Sequence, residues 1–185
     1  IRQAEAKGLG HAIFQAKEII KDEPFAVVLP DRVINQYQCN LKTDNLAKMK
    51  KYYESFGKNI LLIERVSKKD VNKFGIVKLA REMKIKDLSL IESIIEKPSI
   101  KNAPSNLAAV GRYVLDPKIF NFISLKSKKN KEIELTDAIN SMILSGEEVF
   151  GLELKGECFD CGSKIGYLEA IIKSAIHHNE LGADF

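Results

Sequence analysis

The spacing of apolar residues changes period several times along the chain, and each change marks an element. Ile13, Ala16 and Ile19-Ile20 recur at helical spacing behind Gly8-Leu9-Gly10, so a glycine turn feeding a first helix is predicted. Phe25 to Leu29 is a continuous apolar run, short and β-rich. It reads as a strand buried on both faces, of the kind found in parallel sheets, and it stops at Pro30-Asp31. Thr43-Asp44-Asn45 should cap an amphipathic helix that runs to Phe56, with Gly57 as its stop. Asn59 to Glu64 is the next strand. Strand, helix and strand at these lengths form a βαβ unit with an expected right-handed crossover.

The middle of the chain has a different rhythm. Gly75 to Leu79, Leu88 to Glu96 and Leu107 to Leu115 are strand-like and separated by short polar turns, which predicts a mixed sheet or a small appended β layer. Pro117 to Leu125 returns to helix, with proline in the first turn where its missing N–H costs nothing. Thr136-Asp137 opens another helix that ends near Gly146, and Val149 to Leu154 alternates as a strand. From Ser163 onward, Ile165, Tyr167-Leu168, Ile171-Ile172 and Ala175-Ile176 make a long amphipathic closing helix. There is no internal repeat and no linker, and 185 residues suit one domain spanning 1–185.

Composition narrows the class. With 45% hydrophobic and 29% charged residues the chain reads as a soluble globular protein. A net charge of +4 is too mild for a nucleic-acid partner, and the densest basic run, Lys126 to Lys131, reads as a solvated loop. No apolar run approaches the roughly 20 residues of a membrane helix. The three cysteines are an odd number, which argues against a disulfide framework and points to the reducing cytoplasm. Cys158 and Cys161 form a C-x-x-C without a second pair. Reduced thiols are the preferred reading, with a thioredoxin-like role as the alternative. The first residue is Ile1 rather than methionine, so the sequence reads as a fragment, a processed product or the ordered part of a longer chain.

Candidate chemistry gathers at strand ends. Asp31 follows the first apolar strand, where open α/β sheets bind ligands, although a carboxylate there could equally cap the following turn. Asp160 ends the last strand in Phe159-Asp160-Cys161-Gly162, directly before a helix that it could N-cap. Two such carboxylates are what a Mg²⁺ ion bridging phosphates requires, since Mg²⁺ takes one or two protein carboxylates and keeps several waters. Glu96-Lys97-Pro98 ends another strand. There Lys97 offers a point charge to a phosphate and Glu96 accepts from hydroxyls, with a surface ion pair as the plain alternative. Gly75 and Gly111 stand where side chains could obstruct a ligand, or mark bulges. Gln3 and Gly8 offer an amide and bare backbone at a helix start, a combination that can read a planar base edge.

Taken in order, these pieces resemble the bacterial UTP–glucose-1-phosphate uridylyltransferases. The matching text is Arg2-Gln3 with Ala6-Lys7-Gly8-Leu9-Gly10-His11-Ala12, then Leu29-Pro30-Asp31, Phe74-Gly75-Ile76-Val77 and Glu96-Lys97-Pro98. It continues with Ala103 to Ala108, Gly111-Arg112-Tyr113, Leu135-Thr136-Asp137-Ala138-Ile139 and Phe159 to Lys164. The resemblance implies an α/β, Rossmann-like nucleotidyltransferase fold with a mixed central sheet flanked by helices, of which this chain is the C-terminal two-thirds. It implies that Gln3 and Gly8 contact uracil, and that Asp31 and Asp160 hold Mg²⁺. Gly75, Glu96, Asn106 and Gly111 would line the sugar pocket, and Lys97 would hold the sugar phosphate. The implied reaction joins UTP and glucose-1-phosphate into UDP-glucose with release of pyrophosphate. Because the attacking phosphate is already an anion, catalysis rests on positioning and charge neutralisation, with Asp31 and Lys97 as the catalytic pair. Relatives are commonly dimers or tetramers, so a homo-oligomer is expected, with no membrane and no nucleic acid as partner.

The chain departs from the family pattern in three places. Arg32 puts a cation beside Asp31, where it could alter metal affinity. Glu134 replaces a common Gln, which reads as a surface change. The glycine-rich loop that grips the triphosphate in the family does not appear, so this chain alone is expected to be inactive. Two alternatives remain: a thymidylyl- or other sugar-1-phosphate nucleotidyltransferase, and a non-catalytic sugar-phosphate-binding domain. Thr136 and Asp137 read as a helix cap.

Overall fold

A computed structural model describes residues 1–125 and 132–184, without the side chains of 81–84; the basic run 126–131 lies outside them. Among the described residues the strands are β1 (Phe25–Val28), β2 (Arg32–Ile34), β3 (Asn59–Arg65), β4 (Gly75–Ile85), β5 (Leu88–Glu96), β6 (Leu107–Leu115), β7 (Val149–Glu153) and β8 (Cys158–Asp160). The α-helices among them are α1 (Leu9–Phe14), α2 (Lys17–Ile20), α3 (Leu46–Phe56), α4 (Leu135–Leu144) and α5 (Lys164–Ile176). Six strands form one sheet in the order β1-β6-β3-β7-β5-β4, and β2 pairs with β8 in a separate ribbon. The pair β3–β7 is parallel and the other pairings are antiparallel, so the expected mixed sheet is present. The three middle segments belong to the main sheet, and the small second β layer is built instead from β2 and β8.

Strand β3 shows how the layers assemble. Its side chains alternate in direction, and both faces are buried: Leu61 and Ile63 join one core, Ile60 and Leu62 the other. The first core is covered by Ile13 of α1 and by Leu135, Ala138, Ile139 and Met142 of α4. The second is covered by Met49 and Tyr52 of α3. A helix layer on each face follows from a sheet that is apolar on both.

Strand β6 carries the feature that positions the site. One of its edges pairs with β3 along most of its length. The other edge is shared: Leu107 and Ala108 pair with β4, while Arg112 to Leu115 pair with β1. Between these partners, around Ala109 to Gly111, the sheet forks.

Several sequence expectations change. Strand β1 is not buried on both faces and has no parallel partner among the described residues; it pairs antiparallel with β6 and alternates between half-buried and exposed. A short apolar run identifies a strand but not its place in a sheet. The first helix is two short pieces, α1 and α2. The helix expected over Pro117 to Leu125 is a 3₁₀ turn, Pro117–Asn121, capped by the Asp116 side chain accepting from the Lys118 N–H. Strand β7 does not alternate: Val149 to Leu152 are all buried, as a central strand requires.

Asn45 occupies the N-cap position of α3 but makes no cap hydrogen bond. Its amide instead accepts from the Lys155 N–H at 2.9 Å and donates to the Lys155 carbonyl at 3.0 Å, tying the start of α3 to the segment after β7. The residue is 4% exposed, so water cannot replace both bonds. Asn45→Ala is expected to lower the unfolding free energy by about 2 kcal/mol, the cost of leaving such backbone groups unpaired. Urea denaturation followed by circular dichroism would read it as a lower midpoint at unchanged slope.

Candidate functional site

The fork along β6 opens into a cleft of about 320 Å³. Its walls bring together Asp31, Gly75, the neighbours Glu96 and Lys97, Gly111 and Asp160, which come from separate stretches of the sequence. Gln3, Gly8 and Asn106 are outside this lining. The Gln3 amide donates to the Gly8 carbonyl at 3.2 Å, and Gly8 packs on the backbone of Ile133, next to Leu9 at the cleft wall. The Asn106 amide donates to the Val66 carbonyl at 3.1 Å, a tie between loops.

The ribbon of β2 and β8 delivers the two aspartates. Arg32 stands opposite Asp160, and the Cys161 N–H donates to the Asp31 carbonyl at 2.7 Å, which locks the residue before β2 to the residue after β8. The carboxylates converge on Gly162. A side chain there would begin 3.2 Å from Asp160 Oδ1 and 3.2 Å from Asp31 Oδ2, so these oxygens lie no farther apart than twice that distance. Neither carboxylate is in an ion pair among the described residues. Nor does Asp160 cap α5, because Ser163 does so by accepting from the Gly166 N–H at 3.1 Å. Two carboxylates aimed at one point, with no third protein ligand group among the described residues, suit an octahedral ion that keeps water and phosphate oxygens for its other positions. The donor set therefore fits Mg²⁺.

The opposite wall is the rung where Gly75 of β4 faces Glu96 of β5. A side chain on Gly75 would begin 2.8 Å from the Thr136 methyl and 3.2 Å from Glu96 Oε2, so glycine is required by close packing. Lys97 has φ 42°, a left-handed conformation that L residues adopt at a cost, and its N–H donates to the Phe74 carbonyl at 3.0 Å. Its ammonium lies 3.5 Å from Glu96 Oε1. Gly111 also has positive φ, 72°, and Leu29 packs where a side chain would go. Its glycine thus serves the joint between β1 and β6.

Three readings of single residues are corrected by this geometry. Arg32 lines the cleft with Asp31, but its guanidinium is engaged away from that carboxylate: it is buried, donates to Glu64 Oε1 at 2.6 Å and lies over the Phe74 ring. Glu134 is not a surface change but lines the cleft. Thr136 is not a cap, since α4 starts at Leu135 and the Thr136 hydroxyl donates to Glu96 Oε2 at 3.0 Å. Sequence reasoning missed Thr136 and Glu134 as cleft residues. The signal available was their place in a family motif; a helix start explains Thr136 locally, and Glu134 reads as a surface substitution.

Burial pushes the Cys158 thiol up to about 11, the reverse of what a nucleophilic redox thiol requires. Among the histidines, His177 stacks on Tyr37 and His11 contacts the Gln3 amide, both away from the cleft lining.

A mixed sheet between helix layers, split beside β6 into a cleft, is an α/β architecture of the nucleotidyltransferase type. The chain belongs to the nucleotidyl transferase family, whose model matches residues 1–175. It is 41% identical over 187 residues to the UTP–glucose-1-phosphate uridylyltransferase of Haemophilus ducreyi, covering 100% of this chain and 63% of the relative. The Escherichia coli K12 protein of the same name is 40% identical over 191 residues, covering 100% and 61%. Among solved structures, UDP-glucose pyrophosphorylase from Acinetobacter baumannii superposes with a TM-score of 0.84 at 36% identity, covering 100% of this chain and 62% of that one. A UDP-glucose pyrophosphorylase complexed with UDP-glucose gives 0.83 at 36%, covering 94% and 65%. The chain thus spans a little over three-fifths of the length of these relatives.

Burial raises the Glu134 carboxyl above its ordinary range, and the negative charges of Glu96, Glu132 and Asp137 push the same way against Lys97. An acid whose pKa is raised by folding binds more protons when folded, so it costs stability once ionised and not when protonated. Glu134→Gln is expected to raise the melting temperature at pH 7 by a degree or two, about what a fraction of a kcal/mol gives in a domain of this size. That gain should vanish at pH 4. Differential scanning fluorimetry at the two pH values checks the sign.

Proposed function

We propose that the protein is a UTP–glucose-1-phosphate uridylyltransferase, forming UDP-glucose and pyrophosphate in the cytoplasm. The observation that carries this reading is the convergence of Asp31 and Asp160 on one side of a cleft whose other side holds Glu96 and Lys97. The names of the relatives at 40–41% identity support the nucleotide and sugar.

In this reading Asp31 and Asp160 would hold Mg²⁺, which when bound would neutralise phosphate charge and orient the triphosphate. Lys97, with its ammonium at the cleft wall, holds the phosphate of glucose-1-phosphate in line with the α-phosphorus of UTP. The phosphate oxygen forms a bond to that phosphorus while the bond to the bridging oxygen breaks and pyrophosphate leaves. No proton has to be removed from the nucleophile, so no general base is needed. Glu96, Gly75 and Gly111 line the sugar, with Glu96 accepting from its hydroxyls. Gln3 and Gly8, with Leu9 beside them at the wall, meet the uracil, and Asn106 supports the sugar pocket through the loop it ties.

The cytoplasmic location rests on three cysteines without a disulfide, and no helix among the described residues is long and apolar enough to cross a membrane. A homo-oligomer, dimer or tetramer, would give a partner to the exposed Ile165, Leu168, Ile172 and Ile176 of α5.

The full-length gene product, given UDP-glucose, pyrophosphate and Mg²⁺, is expected to release UTP and glucose-1-phosphate, read by coupled assay. No turnover, or turnover with TDP-glucose alone, would sink the reading. Asp160→Ala should lower kcat by about a hundredfold or more, as loss of a group that organises transition-state charge does. Its melting temperature should stay within a few degrees, because the carboxylate's partner is one exposed Gly162 N–H. Unchanged Mg²⁺-dependent turnover would refute the metal assignment.

A further inference from the structure

Glu96 is a flexible side chain asked to read hydroxyl stereochemistry, and something has to fix its carboxylate. One oxygen, Oε1, faces the Lys97 ammonium at 3.5 Å. The other, Oε2, accepts the Thr136 hydroxyl at 3.0 Å. Thr136 is 6% exposed, so its hydroxyl is shielded from water that would otherwise compete for it. Its methyl group fills the space beside Gly75, so the residue is held by packing as well as by its hydrogen bond.

The helix that carries Thr136 is pinned to the same strand a second time. One turn on, Asn140 Oδ1 accepts from the Ile94 N–H of β5 at 3.2 Å. The placement of Thr136 against Glu96 is therefore independent of the bond it donates. A threonine in this setting loses little by ordering its hydroxyl, because the β-branched side chain is already stiff.

We propose that Thr136 is a positioning residue that orients the Glu96 carboxylate so that its remaining lone pairs meet a defined pair of hydroxyls on an aldose 1-phosphate. A carboxylate free to rotate would accept from hydroxyls of several stereochemistries. One with an oxygen fixed by Thr136 and the other drawn to Lys97 presents a single direction, and selectivity between sugar epimers follows from it. The proposal deepens the uridylyltransferase reading and rests on it.

The test uses the full-length gene product as wild type, Thr136→Val and Thr136→Ser. Valine keeps the shape and packing without the hydroxyl, and serine keeps the hydroxyl without the methyl. Thr136→Val is expected to raise KM for glucose-1-phosphate about tenfold, the scale of one lost hydrogen bond to a charged group. KM for UTP should stay within about twofold, discrimination against galactose-1-phosphate should fall, and Thr136→Ser should recover most of both. Unchanged kinetics in Thr136→Val, an equal rise in both KM values, or a serine variant no better than valine would overturn the proposal. If the wild type makes no UDP-glucose, the uridylyltransferase reading fails by that result. Calorimetric titration of the same three proteins with glucose-1-phosphate then decides the role of Thr136: weaker binding by the valine variant alone supports it, and equal or absent binding overturns it.

Discussion

The divided edge of β6 is the constraint on which the rest of the structure depends. A strand has two hydrogen-bonding edges, and one of those of β6 is given to β3. The other is claimed at its start by β4 and at its end by β1, which leaves a gap in the middle. A sheet that splits in this way exposes backbone and small side chains in a crevice, as sheets do where their connections diverge. Each wall of the cleft can be traced to one branch of the fork. Strand β1 leads through Pro30 to Asp31 and the ribbon with β8, and β4 leads to the rung of Gly75 and Glu96.

The two branches do different electrostatic work. The ribbon collects carboxylates, and the Cys161 to Asp31 backbone bond sets their spacing. The rung places one carboxylate beside one ammonium, so it presents a hydrogen-bond acceptor and a phosphate-sized charge side by side. Binding a sugar phosphate at the second and a metal-bound phosphate at the first would hold two anions close together. That encounter is unfavourable in water, so it would call for positioning and charge neutralisation. The raised pKa of Glu134 fits the same picture, since a further carboxylate near Glu96 is disfavoured by burial and by its acidic neighbours.

Much of this was legible in the sequence, for a physical reason that also explains the gaps. Strands β3, β5 and β6 and helix α3 are long enough for side-chain periodicity to show, and their predicted limits agree with the structure within a residue or two. The ribbon was not legible. Strands of three residues carry no period, and the proximity of Asp31 to Asp160 depends entirely on their pairing. The two aspartates could be suspected from strand ends and from family motifs, but not brought together. Thr136 failed in the opposite way: a threonine at a helix start has a sufficient local explanation, so its long-range bond to Glu96 left no trace. Edge position is likewise invisible, because Phe25 to Val28 has the same composition whether one neighbour or two lie alongside it.

Arg32, the cation that follows Asp31 in sequence, is engaged elsewhere by the fold. A cation aimed at Asp31 would compete with any metal ion held there. Strand alternation decides otherwise: in β2 the side chain of Arg32 turns inward, where Glu64 of β3 meets it at 2.6 Å. Burial pushes the Glu64 carboxyl up, and the Arg32 guanidinium pulls it only part of the way back. The Phe74 ring under the guanidinium and the Arg112 guanidinium donating to the Arg32 carbonyl complete the seat. Phe74 is also the residue whose carbonyl accepts the N–H of Lys97. The buried ion pair thus braces the ribbon and, through Phe74, touches the strained lysine on the other wall. Arg32 thus links the ribbon of one branch to Phe74 of the other along the cleft lining.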